Sequence, residues 1–218
     1  EYYCAEVVNL ETRAVRTVKD NLKEIAAGEE EACEKLMYAL VLSGLAMQMT
    51  GSSRPASGAE HHLVHLWDME VVNGHLDALH GEKVSAGTML VLLEYKKIAD
   101  AIRRGTCRVH TCTEEDQELL KETFGKKGIL GTLEKENTPE LLDNVSTREL
   151  SDALPKILKI IDALPAVTDM QEMMNTAGCV SRVRDIGLPG EVIEESLLLA
   201  PYTRRRLSLL RLRKMLTY

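Results

Sequence analysis

The chain has 218 residues, 44% of them hydrophobic and only 4% aromatic, with a formal net charge of −7. That length suits one substantial domain or two small ones, and the apolar fraction supports a buried core. The acidic balance gives no general reason to expect nucleic-acid binding, and no apolar run approaches the ~20 residues of a membrane span.

Aromatic residues are scarce while Leu, Ala, Glu, Lys and Met are plentiful, a mixture that favours helices over sheets. Cys4, Cys33, Cys107, Cys112 and Cys179 are odd in number and widely scattered. They do not read as a disulfide framework, and a reducing, cytoplasmic setting is expected. No basic start leads into an apolar stretch of the secretory kind. The opening "EYYCAEVVNL" lacks a methionine and already reads as helical, so a piece of a longer protein is expected.

In chain order, Val15, Val18, Leu22 and Ile25 fall at spacings of three and four and predict a helix over 11–27, ended by Gly28. Glu29, Glu30 and Glu31 suit the positive end of a second helix over 29–49. That helix is apolar nearly all round and is expected to be central and buried, with Met47 and Met49 as core packing. A loop spans 50–58. A third helix is predicted over 59–72, a linker over 73–81, and a fourth helix over 82–104, closed by Gly105.

Thr113 followed by Glu114, Glu115 and Asp116 reads as a capped helix start. Thr138-Pro139-Glu140 reads as another, short one. The 146–164 segment is amphipathic, with Pro155 expected to kink or split it. "VTDMQEMMNTAG" predicts a helix ending at Gly178, and "TRRRLSLLRLRKML" a final one. No stretch shows sustained period-two alternation. The expected fold is all-α, a multi-helical bundle around one core.

Four of the six histidines fall between residues 61 and 80. His61 and His65, four apart, share one helix face about 6 Å apart along the axis. A return loop brings His80 back toward His61. Two neutral imidazoles converging from separate elements form a half-site for a divalent transition metal; the alternative is that each is an ordinary satisfied histidine. Glu60, Asp68 and Glu82 are possible carboxylate partners. Cys107, His110 and Cys112 in "CRVHTC" lack a second Cys/His pair at zinc-finger distance and read as a loop. The basic tail, Arg204 to Lys214, reads as a terminal helix packing its leucines on the core rather than as a membrane-surface helix.

"GSSRPASGAEHHLVHLWDM" with "LHGEKVSAGTMLV" resembles the metal-binding half of the iron-containing alcohol dehydrogenase and dehydroquinate synthase-like superfamily. Within it the chain is most similar to sn-glycerol-1-phosphate dehydrogenases. "APYTRRRLSLLRLRKML" resembles the end of bacterial members, so the resemblance covers nearly the whole chain. It implies that residues 1–218 are a C-terminal all-helical metal-binding domain. A nucleotide-binding α/β domain and a third metal ligand, an aspartate, would lie upstream; the chain has no Gly-rich strand-to-helix turn, "GKKGILG" lacking that context, and so no cofactor-binding residue is assigned in it.

The resemblance makes His61 and His80 ligands of zinc, nickel or iron. It makes His65 the residue that contacts a substrate oxygen, with a proton relayed through His65 or bound water, and leaves His62 exposed without a role. The reaction implied is NAD(P)H-dependent reduction of dihydroxyacetone phosphate to sn-glycerol 1-phosphate, with this chain alone inactive. Glycerol or another polyol as substrate, or a non-enzymatic helical domain retaining the fold, is the alternative. Ser57 and Arg54 in the small-residue loop are placed for substrate binding. Arg54 either pairs with the phosphate or braces the loop through a salt bridge. Glu60 either caps its helix or orients a ligand. The expected partners are a phosphorylated small molecule, the chain's own N-terminal domain and further copies in a homo-oligomer, with no nucleic acid and no stable membrane insertion.

Overall fold

The computed structural model describes residues 3–112 and 115–218, and side chains in the second range from residue 118 onward. In chain order the helices are α1 (Ala5–Asp20), α2 (Leu22–Ala26), α3 (Glu30–Thr50), α4 (Ala59–Asp68), α5 (His80–Arg103), α6 (Glu115–Gly125), α7 (Leu130–Asn137), α8 (Thr147–Asp162), α9 (Val167–Thr176), α10 (Ile193–Leu199) and α11 (Leu209–Leu212). Short 3₁₀ turns join several of them. The all-α expectation holds. The one ladder among the described residues is antiparallel: β1 (Arg108–Val109) pairs with β2 (Leu216–Thr217), too short for alternation to be legible in the sequence. Among the described residues no helix is long and apolar enough to cross a membrane. The cap expected at Thr113 and Glu114 lies outside the described residues.

The chain divides into two compact units, Glu1–Gly58 with Thr168–Val180, and Ala59–Val167 with Ser181–Tyr218. In the first, α1 packs on α3 through Leu10, Ala14 and Val18 against Ala39 and Leu42. Polar pairs hold the same two helices: Arg13 Nη2 donates to Tyr38 Oη at 3.0 Å, and Ser43 Oγ to Glu11 Oε1 at 3.0 Å.

Two expectations fail in this unit. The predicted 11–27 helix is interrupted at Asn21, and its inward row is Val7, Leu10, Ala14 and Val18, leaving Val15 65% exposed. α3 is not buried all round: Met37, Leu40, Val41, Leu45 and Met49 are exposed. A helix facing one partner layer buries one stripe, however apolar the rest of its surface is.

In the second unit α4 and α5 form the centre. Leu63, Val64, Leu66 and Trp67 of α4 are buried, and Trp67 Nε1 donates to the buried Ser196 Oγ of α10 at 3.0 Å. α8 packs on α5 around Ile98, Ala99, Leu150 and Ile161. Ser146 caps α8 by accepting from the Glu149 N–H at 3.3 Å, and Lys96 Nζ satisfies the far end by donating to the carbonyls of Ile161 (3.0 Å) and Leu164 (3.1 Å). Both ends being satisfied, and Leu154, Ile157 and Leu158 being packed inward, α8 runs unsplit through Pro155. One lost backbone bond is outweighed by the buried face.

Two segments are shorter than their periodicity implied. α4 ends at Asp68, where Asn73 Nδ2 donates back to the Trp67 carbonyl at 3.2 Å and Glu70 turns with φ 53°. The expected terminal helix is one turn, α11, followed by a 3₁₀ turn and β2. Leu210 packs inward as expected, but so does Arg211, which is 1% exposed.

Candidate metal and substrate site

The site belongs to the second unit and begins with the crossing of α4 and α5. Gly87 lies seven residues beyond His80 on α5, two helical turns along. A Cβ there would stand 3.2 Å from the Glu60 carbonyl oxygen. The two backbones therefore meet at Gly87 and Glu60, immediately beside His61. This close approach sets the His61 and His80 rings with centroids 5.6 Å apart and planes tilted by 52°.

His61 is half-buried and His80 exposed, so the pair is open to a ligand. Glu60 Oε1 lies 2.8 Å from His61 Nδ1. With the ring neutral, Nδ1–H donates to the carboxylate, and the Nε2 lone pair is left for another partner. Glu60 thus orients the ring. The start of α5 is fixed by Glu82, whose Oε2 accepts from the Leu79 N–H at 2.7 Å, which holds His80 in the first turn.

His65 follows one turn after His61 and is half-buried. Arg204 Nη2 lies 3.4 Å from its Nε2. Burial, then Arg204, then His61 hold the His65 imidazole below the ordinary histidine range. The ring is neutral at pH 7, accepts from Arg204 at Nε2 and keeps its proton on Nδ1. Asp68 and Lys83, paired at 2.6 Å, tie the last turn of α4 to the first turn of α5. His61, His65 and His80 are brought together as expected. Arg54 and Ser57 lie in the loop of the first unit, Arg54 exposed and Ser57 buried.

His62 departs from its expected exposure. It is 1% exposed, and among the described residues neither ring nitrogen has a hydrogen-bond partner. Burial, reinforced by Arg206, pushes its pKa down to about 4. α4 buries most of its circumference, so the residue after a half-buried His61 turns into the core.

The imidazole pair suits a divalent transition metal. Among the described residues no group of three His, Cys, Asp or Glu side chains is arranged to hold an ion. The residues present therefore fit as two ligands of such a site. Sequence reasoning missed Arg204, which was read as part of a terminal helix, and Gly87. A glycine inside a helical pattern does signal close backbone approach.

The curated relatives of this chain are dehydrogenases. The chain is homologous to the C-terminal portion of curated proteins named glycerol-1-phosphate dehydrogenase (NAD(P)+), as the sequence resemblance led us to expect. It is 31% identical to the Halalkalibacterium halodurans protein over 211 residues, 96% of this chain and 45% of that protein. It is 29% identical to the Geobacillus stearothermophilus protein over 198 residues, 90% of this chain and 42% of that protein. With the Thermococcus kodakarensis protein identity is 32% over 166 residues, 74% of this chain and 46% of that protein. The chain thus spans a little under half the length of these relatives. No family model matches it.

Proposed function

We propose that the chain is the helical, metal-binding domain of an NAD(P)-dependent sn-glycerol-1-phosphate dehydrogenase, which reduces dihydroxyacetone phosphate to sn-glycerol 1-phosphate. The observation that carries this reading is the approach of the His61 and His80 rings to 5.6 Å, from two helices that meet at Gly87. The shared name of the relatives supports the substrate and the nicotinamide cofactor. In the whole protein a nucleotide-binding α/β domain precedes residue 1 and contributes the aspartate that completes the ligand set.

When bound, zinc, nickel or iron supplies Lewis-acid polarisation of the ketone, and the nicotinamide supplies the hydride. His61 and His80 are the ligands in this chain. Glu60 keeps the His61 proton on Nδ1, so that Nε2 is the ligating atom. The ketone gains hydride at carbon and a proton at oxygen. With Nε2 accepting from Arg204, the His65 proton stands on Nδ1, where it can hydrogen-bond a substrate oxygen, and the proton that this oxygen gains comes from solvent water.

The test is NADH oxidation by the whole protein with dihydroxyacetone phosphate, and again with dihydroxyacetone. Oxidation that depends on the phosphate, with sn-glycerol 1-phosphate as product, is expected. Equal rates with both ketones would point instead to a polyol dehydrogenase. The 218-residue chain on its own is expected to oxidise no NADH.

A further inference from the structure

We infer that Arg204 is the residue of this chain that binds the phosphoryl group of the substrate, and so sets the preference for a phosphorylated ketone. This rests on the reading above and deepens it. The run Arg204-Arg205-Arg206 follows a 3₁₀ turn (Ala200–Thr203) that packs on α4. Its arginines have different surroundings. Arg205 donates to the Pro139 carbonyl at 3.0 Å. The later Arg211 is buried on Glu140 and Asn137. Of Arg204, Arg205 and Arg211, Arg204 is the one whose guanidinium meets His65, with Nη2 3.4 Å from His65 Nε2.

Its backbone is held on both sides. Thr203, fully buried, donates from Oγ1 to the Ala200 carbonyl at 2.8 Å and to the His62 carbonyl of α4 at 3.3 Å. Arg211 Nη2 donates to the Arg204 carbonyl at 3.4 Å. An exposed side chain on a fixed backbone is a preorganised contact.

The guanidinium carries five N–H donors in a planar fork. It meets the Thr203 carbonyl, at 3.2 Å from Nη1, and His65. Among the described residues it has no carboxylate partner. A fixed positive charge without a counter-ion, one contact from His65, matches a dianionic group on a ketone whose oxygen lies at the histidines.

The test uses the whole protein, comparing wild type with Arg204→Gln and Arg204→Lys. Arg204→Gln is expected to lower kcat/KM for dihydroxyacetone phosphate about 10–100-fold, the range for one hydrogen-bonded charge. The loss for dihydroxyacetone phosphate should exceed any loss for unphosphorylated dihydroxyacetone by about tenfold or more, and competitive inhibition by inorganic phosphate should weaken by about tenfold or more. Arg204→Lys, which keeps the charge and loses the fork, should restore part of both. A wild-type preference for the phosphorylated ketone that survives in Arg204→Gln would overturn the assignment and leave the proposed function standing. A wild type with no such preference would overturn both.

Discussion

Glu94 illustrates how a single residue ties remote parts of the second unit together. It is 2% exposed on α5, yet charged. Burial works against the charge, but Tyr218 Oη, Arg213 Nε at 2.6 Å and Lys97 Nζ at 3.1 Å all donate to it and together hold its carboxyl below the ordinary carboxylate range. Arg213 also pairs with Glu194. A carboxylate with a depressed folded pKa stabilises the protein above its unfolded value, and the contribution is lost as pH falls below about 4.5 toward the folded one. Denaturant unfolding at pH 7 and at pH 3.5 should show this loss, and Glu94→Gln should flatten the acid limb. An equally steep acid limb in the variant would remove Glu94 from the account. Arg211 is the second such residue: its guanidinium meets Glu140 at 2.7 Å, Asn137 Oδ1 at 2.5 Å and the Pro201 carbonyl at 2.6 Å. Arg211→Ala strands these acceptors and should cost about 3–5 kcal/mol in urea unfolding. Neither role was legible in the sequence. In "RRRLSLLRLRK" every cation has the same spacing logic, and only tertiary contacts separate a buried arginine from an exposed one. His62 was hidden for the same reason, since adjacent histidines read alike until the helix is placed.

At the scale of elements, the site depends on how closely α4 approaches α5. Gly87→Ala sets two effects against each other: alanine favours the helix by about 1 kcal/mol, while its Cβ must push the Glu60 carbonyl away from 3.2 Å. Overpacking against backbone costs about 1–3 kcal/mol, so the net change in stability should be small or unfavourable. The larger effect should be on metal affinity, because the displaced segment carries His61; unchanged affinity would mean that the crossing does not set the ligand pair. Helix existence was the legible part at this scale. The 59–72 and 82–104 predictions correspond to α4 and α5, and the His61–His65 spacing held because α4 is regular through both. Boundaries and burial were less legible. α4 stops at Asp68 because Asn73 closes its last turn, a contact from outside the periodic stretch. α3 reads as buried from its composition, yet in a two-helix layer only Ala32, Ala39, Leu42 and Ala46 turn inward.

At the scale of the whole molecule, the chain brings the paired His61 and His80 rings, the Glu60 carboxylate beside His61, and the His65–Arg204 contact into one compact unit. The relatives extend to roughly twice its length, which accords with a ligand set and a nucleotide site completed elsewhere. The pairing of His61 with His80 is the claim on which the rest depends. It is tested most directly by the metal content of the whole protein, purified as wild type, His61→Ala and His80→Ala. The account predicts one tightly held zinc, nickel or iron ion in the wild type and its loss in both variants, with Trp67 fluorescence and unfolding behaviour showing that the fold persists. A full metal complement in either folded variant, or none in the wild type when purified or reloaded with these ions, would contradict it.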